Sequence, residues 1–217
     1  MTMPATNTAI QDDYPTRLPQ EQWLERKDPT VWGKWSPEAP LTRAETQSFE
    51  KNGYLILKGV FSANEIAALQ DESARIRAGD AGLAPENVIT EPGSDEVRTV
   101  FRLDEQNALF ERLARDKRIA GRVSYLLGDD VYLHQSRLNY KPGFTGKEFY
   151  WHSDFETWHA EDGMPRMRAI SASVLLTDND ALNGPLMLMP GSHQTFVACA
   201  GETPADNHKS SLKKQEV

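Results

Sequence analysis

The stretch Phe149-Tyr150-Trp151-His152-Ser153-Asp154 sets an imidazole and a carboxylate two residues apart inside an aromatic run. On an extended backbone residues i and i+2 face the same way, so His152 and Asp154 would present nitrogen and oxygen donors to one point. That is two-thirds of a two-histidine, one-carboxylate facial triad, a ligand set that leaves positions open on iron(II). A histidine and an aspartate this close also form ordinary surface hydrogen bonds, and the bare motif is weak evidence. Its surroundings favour the metal: the pair follows a predicted strand, sits among aromatics, and lies in a strand-rich half able to form a jelly roll.

The preceding run, Val131 to Lys141, alternates so that Gln135, Arg137, Asn139 and Lys141 share one face. Two readings stay open for this polar row. It either faces solvent or lines a barrel interior, where long donors could bind a dicarboxylate or a zwitterion. The Pro142-Gly143 turn leads from it directly into the His-x-Asp segment. On the far side come Thr157, Trp158 and His159. Trp158 is either core or the aromatic face for a cationic substrate. His159 is an odd number of residues from Asp154 and would point away on a continuing strand, as a surface or supporting residue. The run Leu186-Met187-Leu188-Met189 reads as core, and His193 as part of a Pro-Gly-Ser turn.

Upstream, residues 1–40 are polar and rich in proline, with Trp23, Trp32 and Trp35 as candidate anchors. They read as an arm draped over a domain spanning 41–217, or as a tail meeting a partner subunit. Tyr54 to Val60 reads as a strand. Ser62 and Glu65 make a capping box, with Phe61 and Ile66 as a hydrophobic staple, and Gly79 stops the helix that follows. A loop around Pro92 and a short strand at 99–103 precede a second helix over Asp104–Leu127. After Gly128 the texture turns to strands: Val131–Lys141, Ala169–Thr177 and Pro185–Pro190. Helices followed by strands predict an α+β fold.

The 217 residues are 39% hydrophobic and 26% charged, ordinary for a soluble domain, and carry a net charge of −8. That charge argues against nucleic acid or an anionic membrane as partner. The single cysteine, Cys199, excludes an internal disulfide and a thiolate-rich metal site made by one chain, and fits a reducing cytoplasm. No signal peptide or membrane-spanning run is expected.

The segments FYWHSDFETWHAEDGMPRMRA (149–169) and NGPLMLMPGSH (183–193) resemble the ectoine hydroxylases of the phytanoyl-CoA-dioxygenase-like superfamily. The first segment is specific, while PGSH marks only the superfamily. VITEPGSDEVRTVFRL, ETPADNHKSSLKKQEV and ERKDP extend the resemblance over nearly the whole chain. It implies a double-stranded β-helix, or cupin-like jelly roll, with flanking helices. It also implies conversion of the compatible solute ectoine to 5-hydroxyectoine with iron(II), O2 and 2-oxoglutarate, releasing succinate and CO2, in a cytoplasmic homodimer.

On this resemblance His152 and Asp154 are iron ligands. Gln135 and Trp158, with Thr157 beside them, contact substrate, and Lys141 contacts 2-oxoglutarate, with Arg137 and Asn139 on the same donor row. Family members continue past the position of Val217, and there carry the second iron histidine and the arginine that grips 2-oxoglutarate. The third iron ligand is therefore expected outside this chain, His193 and His208 being poor substitutes. Too few strands follow Asp154 to finish an eight-stranded jelly roll, so truncation at the C-terminus is expected. A non-catalytic fragment and a dioxygenase acting on another small zwitterion are the alternatives.

Overall fold

The computed structural model describes residues 13–144, 146, 147, 149 and 151–200. His208 and the segment 202–217 lie outside them. In chain order the elements are β1 (Gln22–Glu25), α1 (Arg43–Asn52), α2 (Ala63–Arg77), β2 (Val88–Thr90), β3 (Val97–Phe101) and α3 (Leu103–Gln106). Then follow α4 (Ala108–Ala114), α5 (Lys117–Leu127), β4 (Arg137–Asn139), α6 (Asp154–Asp162) and β5 (Thr195–Ala198). Single 3-10 turns occupy Pro85–Asn87 and Ser192–Gln194. Among the described residues no helix is long and apolar enough to cross a membrane.

The chain divides into two compact units. The larger comprises residues 30–149 and 169–192. Its helices start where their capping residues dictate. Thr42 with Glu45, and Ser62 with Glu65, form complete capping boxes at α1 and α2, each satisfying backbone N–H groups that the first turn leaves over. Leu69 and Ile76 of α2 are buried with Val100, Leu103 and Phe110. Leu138 and Tyr140 pack on the same cluster. β2, β3 and β4 form an antiparallel sheet in that order, Val100 facing Leu138 across the ladder. Gly33 and Gly128 let the chain at Trp32 pass the end of α5: a Cβ on Gly33 would lie 1.9 Å from the Tyr125 carbonyl oxygen.

Within the described residues the smaller unit draws on three separated stretches, 13–29, 151–168 and 193–200. β1 pairs antiparallel with β5, Trp23 opposite Val197. Its core is Tyr14, Phe155, Met167, Phe196 and Ala198. The Tyr14 ring meets Phe155 and Phe196 edge-on, with centroids 5.4 and 5.1 Å away, and its hydroxyl accepts the backbone N–H groups of Lys27 and Asp28. Tyr14 is therefore an aromatic anchor of the N-terminal segment. Trp23 and Trp35 stay 38% and 42% exposed.

Several sequence expectations need correction. The single helix over Asp104–Leu127 is three helices, because Asn107 and Asp116 turn their side chains onto the N–H groups of Leu109, Phe110 and Arg118 and cap new starts. α1 was not foreseen. Tyr54–Val60, Ala169–Thr177 and Pro185–Pro190 carry strand-like composition but join no ladder among the described residues. Val131–Lys141 is ladder-paired only over β4. A strand exists only where another backbone meets its N–H and C=O groups, and composition cannot supply that partner. For the same reason Leu186, Met187 and Leu188, read as core, are 59%, 59% and 42% exposed.

Candidate metal and co-substrate residues

His152 and Asp154 lie in the smaller unit at a junction of extended chain and helix. Asp154 is the first residue of α6, not a strand residue as expected. Ser153, at the N-cap, keeps an extended backbone (φ −109°, ψ 135°). The i, i+2 relation therefore still operates up to the helix start. The Nε2 of His152 is 3.5 Å from the Oδ1 of Asp154, and both side chains are about one-third exposed at 38% and 32%.

Two donors about 2.1 Å from one metal and at right angles stand about 3 Å apart, so this spacing suits neighbouring positions on an iron(II) ion. The residues present thus fit two protein ligands of such a site. Among the described residues no three His, Cys, Asp or Glu side chains converge into a metal cluster.

Two residues after Asp154 comes a residue whose role the local sequence does not mark. Glu156 is 2% exposed and its Oε1 accepts the N–H of Val197 at 3.0 Å, tying α6 to β5. Burial pushes its carboxyl pKa up, opposed by hydrogen bonds from Ser153 and Val197. An acidic residue between Phe155 and Thr157 gave no local sign of burial. His159 occupies the last turn of α6, where helical spacing replaces the strand alternation assumed for it. Its Nδ1 and Nε2 each lie 2.6 Å from a carbonyl oxygen, those of Met164 and Tyr14, and its ring stacks on Phe155. It is a fastening between α6 and the Tyr14 segment. Thr157 and Trp158 are half-buried on α6, and the Trp158 carbonyl accepts the N–H groups that close the helix at Gly163 and Met164. His193 sits in the 3-10 turn before β5, where its carbonyl accepts from Arg26 at 3.4 Å.

The donor row lies in the larger unit. Gln135, Arg137, Asn139 and Lys141 are exposed while Ser136, Leu138 and Tyr140 between them are half-buried, so the predicted alternation is present. The row's contacts are specific. The Arg137 Nη2 donates to Gln135 at 2.9 Å, and Thr99 donates to the Asn139 Oδ1 at 2.9 Å. The Lys141 Nζ donates to the Lys147 carbonyl at 2.7 Å. Each long donor is thereby given a definite direction, and together they offer positive and amide hydrogen-bonding groups suited to an anionic or zwitterionic small molecule.

A helix-flanked fold of antiparallel strands carrying a His-x-Asp pair defines the class, and the chain belongs to the phytanoyl-CoA dioxygenase (PhyH) family, whose profile matches residues 49–216. Among curated proteins it is similar to the ectoine dioxygenase of Sphingopyxis alaskensis, 52% identical over 208 residues, covering 95% of this chain and 68% of that protein. The ectoine dioxygenase of Streptomyces coelicolor is 47% identical over 215 residues, covering 99% and 72%. A crystal structure of EctD from S. alaskensis with 2-oxoglutarate and 5-hydroxyectoine superposes with a TM-score of 0.85 at 47% identity, over 94% of this chain and 72% of that one. The same enzyme with bound Fe gives 0.84 at 50% identity, over 87% and 68%. The fold is accordingly the cupin-like double-stranded β-helix with flanking helices, although few of its strands are ladder-paired within the described residues.

Proposed function

We propose that this protein is an iron(II)- and 2-oxoglutarate-dependent dioxygenase that hydroxylates ectoine to 5-hydroxyectoine, consuming O2 and releasing succinate and CO2. The carrying observation is the likeness of nearly the whole of this chain to an ectoine dioxygenase, 52% identical over 95% of this chain and 68% of that protein. The bound 2-oxoglutarate and 5-hydroxyectoine in a structural neighbour name the co-substrate and product chemistry of that neighbour.

In this reading His152 and Asp154 hold iron(II), and the third protein ligand is not among the described residues. Bound iron(II) supplies the activation of O2 that a protein of ordinary side chains lacks. The chain's own groups bind and orient. Lys141, with Arg137 and Asn139 beside it, meets the carboxylates of 2-oxoglutarate. Gln135 and Thr157 offer hydrogen bonds to ectoine, and Trp158 an aromatic face for its delocalised ring cation. The reading extends to a cytoplasmic homodimer that handles a compatible solute under osmotic stress. The lone cysteine fits that compartment.

The test is anaerobic titration with iron(II) and 2-oxoglutarate, followed by aerobic turnover with ectoine, proline and betaines. Weak visible absorption that disappears in His152→Ala, and succinate release stimulated by ectoine above the others, are expected. Equal stimulation by proline would move the substrate elsewhere in the superfamily, and unchanged absorption in His152→Ala would remove His152 from the metal.

A further inference from the structure

Lys147, between Lys141 and the His-x-Asp pair in sequence, is fastened by two residues the reaction does not otherwise use. Glu91 opens the loop between β2 and β3, is 1% exposed, and receives one nitrogen of Arg98, Nη1, at 2.9 and 3.0 Å from its two oxygens. A carboxylate this deep is tolerated only when paired and hydrogen-bonded, so the two side chains form a fixed point.

Both partners spend further bonding capacity on Lys147. The Glu91 Oε1 accepts the Lys147 N–H at 3.2 Å, and the Arg98 Nη1 donates to the Lys147 carbonyl at 3.2 Å. The Arg98 guanidinium also lies over the Phe149 ring, 3.8 Å from its centroid. The carbonyl of Lys147 is the same one that takes the ammonium of Lys141. Against the Lys141 side chain Gly184, at φ +70°, leaves space that a side chain would fill: its Cβ would stand 2.8 Å from the Lys141 Cε. Lys141 thus rests where the Glu91–Arg98 pair holds residue 147.

We propose that Glu91 and Arg98 are positioning residues for 2-oxoglutarate: they fix the Lys147 peptide and through it the direction of the Lys141 ammonium. The proposal rests on the reading of Lys141 as a co-substrate contact. The pair touches no substrate in this account. It acts by removing the rotational freedom of a long, otherwise mobile cation, so that less ordering remains to be done when the dicarboxylate arrives.

The experiment is calorimetric titration of the iron(II)-loaded chain under argon with 2-oxoglutarate and, separately, with ectoine, for Lys141→Met, Glu91→Gln and the double variant. Glu91→Gln keeps the shape and removes the charge. It is expected to weaken 2-oxoglutarate about tenfold, the scale of losing an orienting partner, and to leave ectoine within about twofold. The double variant is expected to bind 2-oxoglutarate no more weakly than Lys141→Met alone, since both act through one group. Strictly additive losses, a silent Glu91→Gln beside a weakened Lys141→Met, or equal weakening of both ligands would each overturn the positioning role while leaving Lys141 in place. A silent Lys141→Met, or no 2-oxoglutarate binding by the unsubstituted chain, would take down the reading of Lys141 and the proposal with it. Should Glu91→Gln fail to fold, Arg98→Lys is the second variant. It keeps a charge opposite Glu91 but gives up the planar donors and the stacking on Phe149, and the same selective loss is expected.

Discussion

The two units reach their cores by opposite routes. In the larger one a nearly continuous run supplies α2, β3, α3, α4 and β4, so the residues that pack with Leu69 and Val100 come, Leu176 apart, from the single stretch 66–140. In the smaller one Tyr14, Phe155 and Phe196 meet from stretches separated by more than a hundred residues along the chain or by a whole excursion into the other unit. Local codes such as caps and helical spacing describe the first kind of core. The second depends on loop closures that no local pattern records, and its ordering entropy must be recovered by a few well-made contacts.

That contrast predicts where single changes are most damaging. Tyr14→Ala removes the ring at the centre of the three-stretch core and the acceptor for the N–H groups of Lys27 and Asp28. A loss of about 3–5 kcal/mol is expected for truncating a buried aromatic, with Tyr14→Phe, which keeps the ring but strands the two N–H groups, losing about 1–3 kcal/mol. Urea unfolding measures both. If Tyr14→Ala costs no more than an exposed substitution such as Ile56→Ala, the smaller unit is not organised around this ring.

A stranded backbone donor produces the next effect. Glu156→Ala leaves the buried N–H of Val197 without its acceptor, for a loss of about 1–3 kcal/mol, whereas Glu156→Gln keeps an acceptor and loses less. Amide exchange at Val197 reports the difference directly: protection retained in the alanine variant would show that α6 does not hold β5 by this bond.

How much of this could be read beforehand follows the same division. The α2 start was legible because Ser62 and Glu65 carry their own instruction, and both reciprocal bonds are present. The breaks at Asn107 and Asp116 were legible in principle, but a run of apolar residues at helical spacing masked two capping side chains. The His152–Asp154 spacing carried its information even though the element was misassigned, because an N-cap residue has strand-like dihedrals and Ser153 preserves the alternation for one step. Tyr14, Glu156 and the Glu91–Arg98 pair were not legible. Tyr14 and Glu156 meet partners distant in the chain, and the Glu91–Arg98 pair, though only seven residues apart, shows its role only through Lys147, 49 and 56 residues on; nothing around any of them in sequence distinguishes it from a solvated neighbour.

Caps test the local half of the comparison. Asn107→Ala should cost about 0.5–2 kcal/mol by removing the acceptor that starts α4. Ser62→Ala at α2 should cost a similar amount. Both are expected to lower the urea midpoint without changing the slope. A change of slope would mean that the larger unit does not unfold as one body.

The smallest effect is electrostatic and depends on pH. Arg118 donates to Glu65 and Asp116 at 2.6 Å each, and its guanidinium holds both carboxyls at about 2, below the usual carboxylate range. A folded-state value below the unfolded one, about 4.3 for Glu and 3.9 for Asp, favours the folded chain only where the unfolded groups are ionised. The contribution is therefore complete above about pH 5 and fades as pH falls from about 4 towards 2. These groups are exposed and screened by water and salt, so the effect is a modest one. Arg118→Met removes the largest cause, the guanidinium, and leaves the Ser62 hydrogen bonds to Glu65 and the backbone N–H of residue 118 to Asp116 in place. The difference in urea midpoint between the parent chain and this variant should be constant from pH 7 to 5 and shrink below 4. A difference that persists undiminished at pH 3 would assign Arg118's contribution to its stacking on Phe61, where the guanidinium stands 4.3 Å from the ring centroid, and not to the two carboxylates.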